Sequence, residues 1–441
     1  MLAGPEDQMR KPDMDSAAPD GRAPVEFPLS LCWLETATRT IPAACSTLAK
    51  SPTRVLPGTT AICCTEAAGA YFKDLDGNTW LDCEMAMGTA PWGHARREVE
   101  EAVIAQLRRG VSYSLPAPLE AEVASRLLQR FERYDSLRFC KSGADAVTGA
   151  VRIARAATGR QIVVATSYHG WHDWSAYGHY GQNPAPLGIV ETVTQTTRWV
   201  AGADPAALEQ VLAETAGRCA AVVLCPNTWA AADLRRVVDA YRGAGAVVVF
   251  DEVTSGIRMG RRATAGEYGI WPDLLCISKG MANGLPLAAV LGPAVLMGRA
   301  TQVKFSNAHS SECLALAAAL ACEDLMDLAP EWPTWRVRTT LMIDRLNAEI
   351  TRLGISDELI VEGTHASFAL RSRTADDFWS DPFREHLIRV LAAERIFSKG
   401  YLVFSDAHGV EEFEKVEAAL MDAVRSWIPD RHTPFSESRS S

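Results

Sequence analysis

Two segments decide the fold: VVVFDEVTSGIR at 247–258 and LLCISKGMANGLPLAAVLG at 274–292. Each opens with an apolar run that suits a strand buried on both faces. The first run ends at Asp251 and the second at Lys279. Side chains at the carboxyl ends of parallel strands face the usual ligand crevice of an α/β fold. We therefore expect the Asp251 carboxylate and the Lys279 amine to meet in one crevice.

The region around these segments alternates short β-rich runs with helical stretches. Asp233 is expected to cap one of the helices, whose apolar side chains would face the sheet. This alternation predicts a mainly parallel sheet covered by helices. The predicted strands are Arg138 to Cys140, Ile162 to Ala165, Ala220 to Leu224, Ala246 to Phe250, Leu274 to Ile277 and Leu287 to Leu291.

Outside this region the patterns change. The turn in YFKDLDGNTWLD (71–82) predicts a hairpin, and the spacing from Val99 to Leu107 predicts one helical face. After Glu323 longer helices dominate, and LAPEWPTW (328–335) interrupts them. The predicted organisation is an N-terminal arm (1–55), the N-terminal part of a small domain (56–110), a large domain (111–325), a C-terminal small domain (326–430) and a tail (431–441).

The composition excludes several classes of protein. The composition, 48% hydrophobic and 22% charged, is typical of a globular protein, and a length of 441 residues suggests two domains. A net charge of -10 without long blocks of one sign argues against nucleic-acid binding. No apolar stretch reaches the ~20 residues of a membrane span, which argues against a membrane protein. The 11 cysteines without a CxxC pair indicate a reduced, cytoplasmic setting.

Two further motifs follow predicted strands. SGADA at 142–146 ends a strand and starts a helix, and the free N–H groups of Ser142, Gly143 and Ala144 there suit an anion. YHGWHD at 168–173 offers the ring of Tyr168 for stacking on a flat cofactor. His169 is expected to have a packing or hydrogen-bonding role, because no metal-ligand cluster completes a site around it. We expect no metal.

Each motif alone has an ordinary structural explanation, such as a turn-capping Asp or a solvated surface Lys. Together, a phosphate cradle, an aromatic ring, a strand-end Asp and a strand-end Lys are the parts that a pyridoxal 5'-phosphate (PLP) enzyme requires. The expected partners are small-molecule amines and carbonyl compounds. A PLP-binding protein without catalysis would also need the cradle, but Lys279 and Asp251 favour an enzyme.

The chain resembles class III aminotransferases of fold type I from about Ala70 to Trp427, in the order of the motifs 71–82, 92–103, 142–146, 168–173, 250–258 and 277–292. This resemblance implies a large domain with a mostly parallel mixed sheet, a small α+β domain and a homodimer with shared active sites. It also implies that Lys279 forms the Schiff base, Asp251 partners the pyridinium nitrogen and Tyr168 stacks on the ring. Val253 would pack on the other ring face.

Two segments depart from the family pattern. Cys225-Pro226 stands where the family often has Glu-Pro, so the acidic residue is absent. In KFSNAHSSE (304–312), Ala308 stands at the position of a threonine that usually reaches the phosphate of the neighbouring subunit. Ser306, Ser310 or Ser311 could replace it, and we select Ser310.

The reaction within the family is left open by the residues. Transfer between an amine donor and an aldehyde or ketone is the main expectation, and an aminomutase or epimerase is the alternative because it uses the same parts. AATGR (156–160), KGMANG and FSDAHGVEEFE (404–414) resemble aminotransferases of aminoglycoside biosynthesis, as does the missing Glu. An amino sugar or aminoglycoside intermediate is therefore the expected substrate.

Overall fold

The computed structural model describes residues 26–179, 188–375 and 378–427, in which helices and short strands alternate. The strands are β1 (Glu66–Ala68), β2 (Tyr71–Lys73), β3 (Thr79–Asp82), β4 (Ser136–Cys140), β5 (Ile162–Ala165), β6 (Thr197–Trp199), β7 (Cys219–Leu224), β8 (Val247–Glu252), β9 (Leu274–Ile277), β10 (Ala288–Gly292), β11 (Leu359–Thr364), β12 (Ser367–Ser372), β13 (Ile396–Phe397) and β14 (Tyr401–Leu402). The helices are α1 (Pro28–Thr40), α2 (Met85–Gly88), α3 (Arg97–Leu107), α4 (Pro118–Arg130), α5 (Gly143–Thr158), α6 (Asp173–His179), α7 (Thr192–Thr196), α8 (Pro205–Glu214), α9 (Ala231–Gly243), α10 (Ala263–Tyr268), α11 (Ala294–Met297), α12 (Arg299–Gln302), α13 (Cys313–Leu328), α14 (Arg336–Leu353), α15 (Pro382–Ala393) and α16 (Val410–Ser426).

The largest sheet has seven strands in the order β4-β10-β9-β8-β7-β5-β6. Strands β9, β8, β7, β5 and β6 pair in parallel, whereas β10 runs antiparallel to both of its neighbours. The predicted mostly parallel mixed sheet is therefore confirmed, and each of the six predicted strands is present within one or two residues. Strand β6 at the edge was not predicted.

The middle of this sheet is the most apolar part of the fold. Every residue of β7, β8, β9 and β10 is buried, because helices cover both faces. Helix α5 packs on one face, and Leu234, Val237 and Tyr241 of α9 are buried within a second core on the other. The apolar strands thus form a rigid platform whose carboxyl edge carries Asp251 and Lys279.

Two smaller sheets lie outside this platform. The predicted hairpin is confirmed as β2 and β3, which join β1 and β13 in the order β1-β2-β3-β13. Strand β13 pairs with β3 in parallel, so residues early and late in the chain share one sheet. Strands β11, β12 and β14 form the third sheet.

Some local predictions need correction. Asp233 does not cap α9: the helix begins at Ala231 after Ala230, and Asp233 lies in its first turn. There its carboxylate still interacts favourably with the helix dipole. Leu107 does not share the buried face of α3, since its side chain is 54% exposed. The interruption at 328–335 is confirmed, because α13 ends at Leu328 and α14 begins at Arg336.

The two ends of the chain are described only in part. Residues 1–25 of the predicted arm and the predicted tail 431–441 lie outside the described residues. Within the described ranges, no helix combines the length and the apolar composition that crossing a bilayer requires.

Candidate active site

Asp251 is the penultimate residue of β8, at the carboxyl edge of the sheet, and it contacts His169. Its Oδ2 lies 2.8 Å from His169 Nδ1, and its Oδ1 accepts the backbone N–H of Val253 at 3.0 Å. The exposed fractions of Asp251 and His169 are 7% and 2%. Burial by itself lowers the pKa of His169, but the neighbouring Cys225 and Asp251 raise it to about 10. Asp251 and Cys225 therefore favour the protonated form of the His169 imidazole.

Cys225 follows the neighbouring strand β7 and joins this pair. Its Sγ accepts a hydrogen bond from Ser167 Oγ at 3.1 Å and lies 3.9 Å from His169 Nδ1. Among the residues that the structure describes, His169, Cys225 and Asp251 are the one group of three possible metal ligands, with ligand atoms within 4.8 Å of one another. The expectation that no such cluster surrounds His169 was therefore wrong, because β5, β7 and β8 bring the three side chains together. His169 Nε2 is buried and has no hydrogen-bond partner in the described chain.

Lys279 follows β9, the strand next to β8. Its Nζ donates to Thr254 Oγ1 at 2.7 Å. Its backbone has φ +45°, a left-handed conformation that residues with side chains adopt infrequently and that concentrates at functional sites. Burial lowers the pKa of Lys279, although Asp251 and Cys225 oppose the shift. The lowered pKa increases the fraction of neutral, nucleophilic amine.

The predicted anion site begins a long helix. Ser142 caps α5: its Oγ accepts the N–H of Asp145 at 3.1 Å, and the Asp145 carboxylate accepts the N–H of Ser142 at 3.0 Å. The next N–H groups, from Gly143 and Ala144, belong to the first turn and lack acceptors within the helix. They and the helix dipole can bind an anion.

Two glycines allow the loops around this turn to come close. A Cβ at Gly143 would lie 2.6 Å from both methyl groups of Val253, which follows β8. A Cβ at Gly170, where φ is +107°, would lie 2.5 Å from the Cβ of Ala144. The loops after β5 and β8 therefore pack directly on the start of α5, and Asp251, His169 and the helix terminus form one cluster.

Gly143→Ala should destabilise the protein by about 1–3 kcal/mol, because the added methyl group overpacks the contact with Val253. Thermal and urea unfolding measure this cost. Gly243→Ala, at the end of α9 with no atom within 4 Å of the added Cβ, is the matched control. Adding Val253→Ala should restore part of the lost stability. Equal stability of Gly143→Ala and wild type would contradict the close approach.

The remaining predicted residues are placed less closely. Val253 donates its N–H to Asp251, and its side chain packs on Gly143. Tyr168 lies in the loop with His169, and its side chain is 50% exposed. Ser310 lies apart, in the turn before α13, where its N–H donates to Asn307 O at 3.3 Å. Stacking by Tyr168 and the role of Ser310 stay predictions.

Sequence reasoning missed Thr254, Cys225 and Arg258. Arg258 is fully buried, donates from Nε to Ala366 O at 2.7 Å, and lies with its guanidinium carbon 4.6 Å from the Trp335 ring centroid. Burial lowers the pKa of Arg258 to about 9. Arg258 and Thr254 belong to the first quoted segment, but nothing in their spacing shows which side chains they contact.

The described residues fit PLP. The N–H groups at the start of α5 can bind a phosphate. These groups lie in a narrow space, because the contacts at Gly143 and Gly170 bring the neighbouring loops close. A protonated pyridine nitrogen matches the buried carboxylate of Asp251. An aldehyde matches the amine of Lys279, whose pKa is lowered.

Comparisons with known proteins identify the family of the chain. The family model described as aminotransferase class-III matches residues 55–329. A glutamate-1-semialdehyde 2,1-aminomutase of Syntrophobacter fumaroxidans is 30% identical over 342 residues, which cover 73% of this chain and 78% of the relative.

A second relative is named for an aminoglycoside. The 2'-deamino-2'-hydroxyneamine transaminase of Streptomyces kanamyceticus is 32% identical over 266 residues, covering 60% of this chain and 66% of the relative. Among solved structures, the FumI protein of Sphingopyxis sp. MTA144 with PLP superposes with a TM-score of 0.79 and 25% identity, covering 90% of this chain and 95% of that one. The protein therefore has the fold of type I, is an enzyme that transfers amino groups with PLP, and belongs to the class III aminotransferases.

Proposed function

We propose that Lys279 and Asp251 are the catalytic residues of this aminotransferase. The observation that carries the proposal is the edge of the sheet at β8 and β9, where a buried carboxylate and an amine of lowered pKa end neighbouring strands. In this proposal the phosphate is bound by the Ser142 hydroxyl and by the N–H groups of Gly143 and Ala144. The Ser142 N–H, which was expected to contribute as well, is not free, because that group already donates to the Asp145 carboxylate. Tyr168 and Val253 pack on the two faces of the cofactor ring, and His169 orients Asp251. Ser310 binds the phosphate that is held by a second subunit.

The residues of the candidate site have separate roles in the proposed reaction. When bound, PLP supplies an aldehyde that condenses with a primary amine and a ring that withdraws electrons from the adjacent carbon–hydrogen bond. Asp251 holds a proton at the ring nitrogen by charge pairing. Once the incoming amine has displaced it, Nζ of Lys279 would accept the proton from the substrate carbon and return it to the carbon on the other side of the transferred nitrogen. Thr254 Oγ1 orients Nζ through the 2.7 Å hydrogen bond.

An aminomutase is the second candidate, because relatives such as the Syntrophobacter fumaroxidans protein carry that name. It would move the nitrogen within one molecule with the same residues. Stoichiometric consumption of a separate amino donor with release of its keto product separates transfer from isomerisation.

The acceptor in this proposal is an aldehyde or ketone of an amino sugar or aminoglycoside-like molecule. The transaminase of Streptomyces kanamyceticus supports it at 32% identity, and so does the replacement of the family Glu by Cys225. A net charge of -10 also favours a polycationic substrate through long-range attraction. A semialdehyde is the competing substrate, since the resemblance covers the core that all class III enzymes share.

Incubating the PLP-loaded enzyme with an aminoglycoside that carries primary amines should convert the cofactor absorbance to that of the amine form. The rate should fall as salt rises, because salt screens attraction between exposed charges over about 10 Å at 0.1 M. A panel of ω-amino acids is the comparison. Conversion by the ω-amino acids alone would overturn the choice of substrate.

The assembly and its location are part of the same proposal. A homodimer with shared sites fits the exposed apolar side chains of Ile104, Leu107, Tyr113 and Leu115, which a second copy would bury. The small domain in this proposal combines residues 56–110 and 326–430 around the large domain 111–325. The proposed location is cytoplasmic, and the 11 free cysteines support it.

A further inference from the structure

A cleft of about 420 Å³ opens between the turn that follows β7 and the hairpin of β11 and β12. The turn is the 3-10 helix Pro226–Thr228. This volume lies in the range of pockets for small-molecule ligands. The polar and aromatic side chains that line the cleft are those of Asn227, Thr228, Glu362, Ser367, Phe368 and Tyr401.

Both walls of the cleft are attached to the candidate active site. On one side, Thr228 Oγ1 donates to the backbone O of Cys225 at 2.9 Å, and Cys225 Sγ lies 3.9 Å from His169 Nδ1. On the other side, the tip of the hairpin is held by the hydrogen bond from Arg258 Nε to Ala366 O. The same residues that surround the candidate active site therefore also hold both walls of this cleft in place.

The chemistry of the lining selects a class of ligand. Among the described residues that line the cleft, Glu362 is the one charged side chain, and no lysine or arginine lines it. Amide and hydroxyl groups together with an aromatic ring suit a hydroxyl-rich ring. The basic group next to the cleft is Arg371, which is paired with Glu362.

Glu362 is accessible to such a ligand. Its side chain is 60% exposed, and its Oε2 lies 2.7 Å from Arg371 Nε. An ion pair this exposed contributes little to stability. Glu362 therefore keeps acceptor capacity for an ammonium group, and the carboxylate can accept from both partners at once.

We propose that Glu362 binds a substrate ammonium group other than the one that reacts, and so selects amino sugars with more than one amine. This proposal rests on the amino-sugar substrate proposed above. It adds the residue that recognises the second amine and the cleft in which that part of the substrate lies.

The test compares two amine donors with the PLP-loaded enzyme: neamine, which carries several primary amines, and 6-amino-6-deoxyglucose, which carries one. Glu362→Gln should raise KM for neamine about tenfold, because it removes a charge-assisted hydrogen bond. It should leave kcat for neamine and both constants for 6-amino-6-deoxyglucose within about twofold of wild type.

Two further variants make the test specific. Arg371→Gln should lower KM for neamine or leave it unchanged, since it removes the competing cation; a rise equal to that of Glu362→Gln would show that the two residues act only as a structural pair. Glu101→Gln is the matched control, because Glu101 is 62% exposed and pairs with Arg97 at 2.8 Å on α3.

Two results would overturn the assignment in distinguishable ways. Wild-type conversion of neamine with an unchanged KM ratio in Glu362→Gln would overturn the role of Glu362 alone. Conversion of ω-amino acids but of neither amino sugar by wild type would overturn the proposed substrate, and the recognition site with it.

Discussion

Lys279→Ala should lower turnover by about four to six orders of magnitude, because the variant loses both its covalent link to PLP and its proton carrier. The fold should persist, since Nζ contributes one hydrogen bond, to Thr254 Oγ1. Steady-state assays with an amine donor measure the loss. After borohydride reduction, mass spectrometry of wild type should find the cofactor on the peptide that contains Lys279.

A control variant separates the role of this lysine from a general loss of charge. Lys73→Ala, on the exposed β2 strand, should keep wild-type turnover and the reduced adduct. Detection of the adduct on any peptide without Lys279 would show that the assignment is wrong.

Asp251→Asn should lower kcat by about two to four orders of magnitude, which corresponds to a barrier raised by about 3–5 kcal/mol when charge pairing at the ring nitrogen is lost. The amide cannot hold a proton at the ring nitrogen by charge. Where the new amide nitrogen faces His169 Nδ1, a donor faces a donor unless His169 loses its Nδ1 proton. The hydrogen bond from the Val253 N–H can persist, so the local backbone should be retained.

Kinetics and the cofactor absorbance together test this variant. Its spectrum should show bound PLP, while the amine substrate converts it slowly. Asp239→Asn on the exposed face of α9 is the control for an isosteric change of charge and should behave as wild type. A nearly normal rate in Asp251→Asn would mean that the ring nitrogen does not face Asp251.

The sequence predicted those parts of the fold in which the need to bury apolar side chains allows only one type of secondary structure. The continuous apolar runs before Asp251 and Lys279 suit only strands covered on both faces, so their ends and the order of motifs could be located. The start of α5 was equally predictable, because Ser142 and Asp145 complete a capping box. Short polar strands such as β6 carry no such signal.

The contacts between separate loops could not be predicted. Cys225 reaches His169 across 56 positions of the chain, and this pairing depends on the order of β5, β7 and β8 in the sheet. Thr254 was visible in the motif, but its hydrogen bond to Lys279 depends on a turn in three dimensions. Asp233 was misplaced as a cap because side chains at the first turn and at the cap have similar preferences.

The close packing of Gly143 on Val253 and of Gly170 on Ala144 also limits how the sequence can evolve. A side chain at position 143 or 170 is accepted only after its opposite neighbour has become smaller or has moved, so the order of substitutions matters. Ala144 cannot shrink further except to glycine, which would weaken the first turn of α5. Sequence drift in this enzyme should therefore show epistasis between positions 143 and 253, while position 170 should accept almost no change.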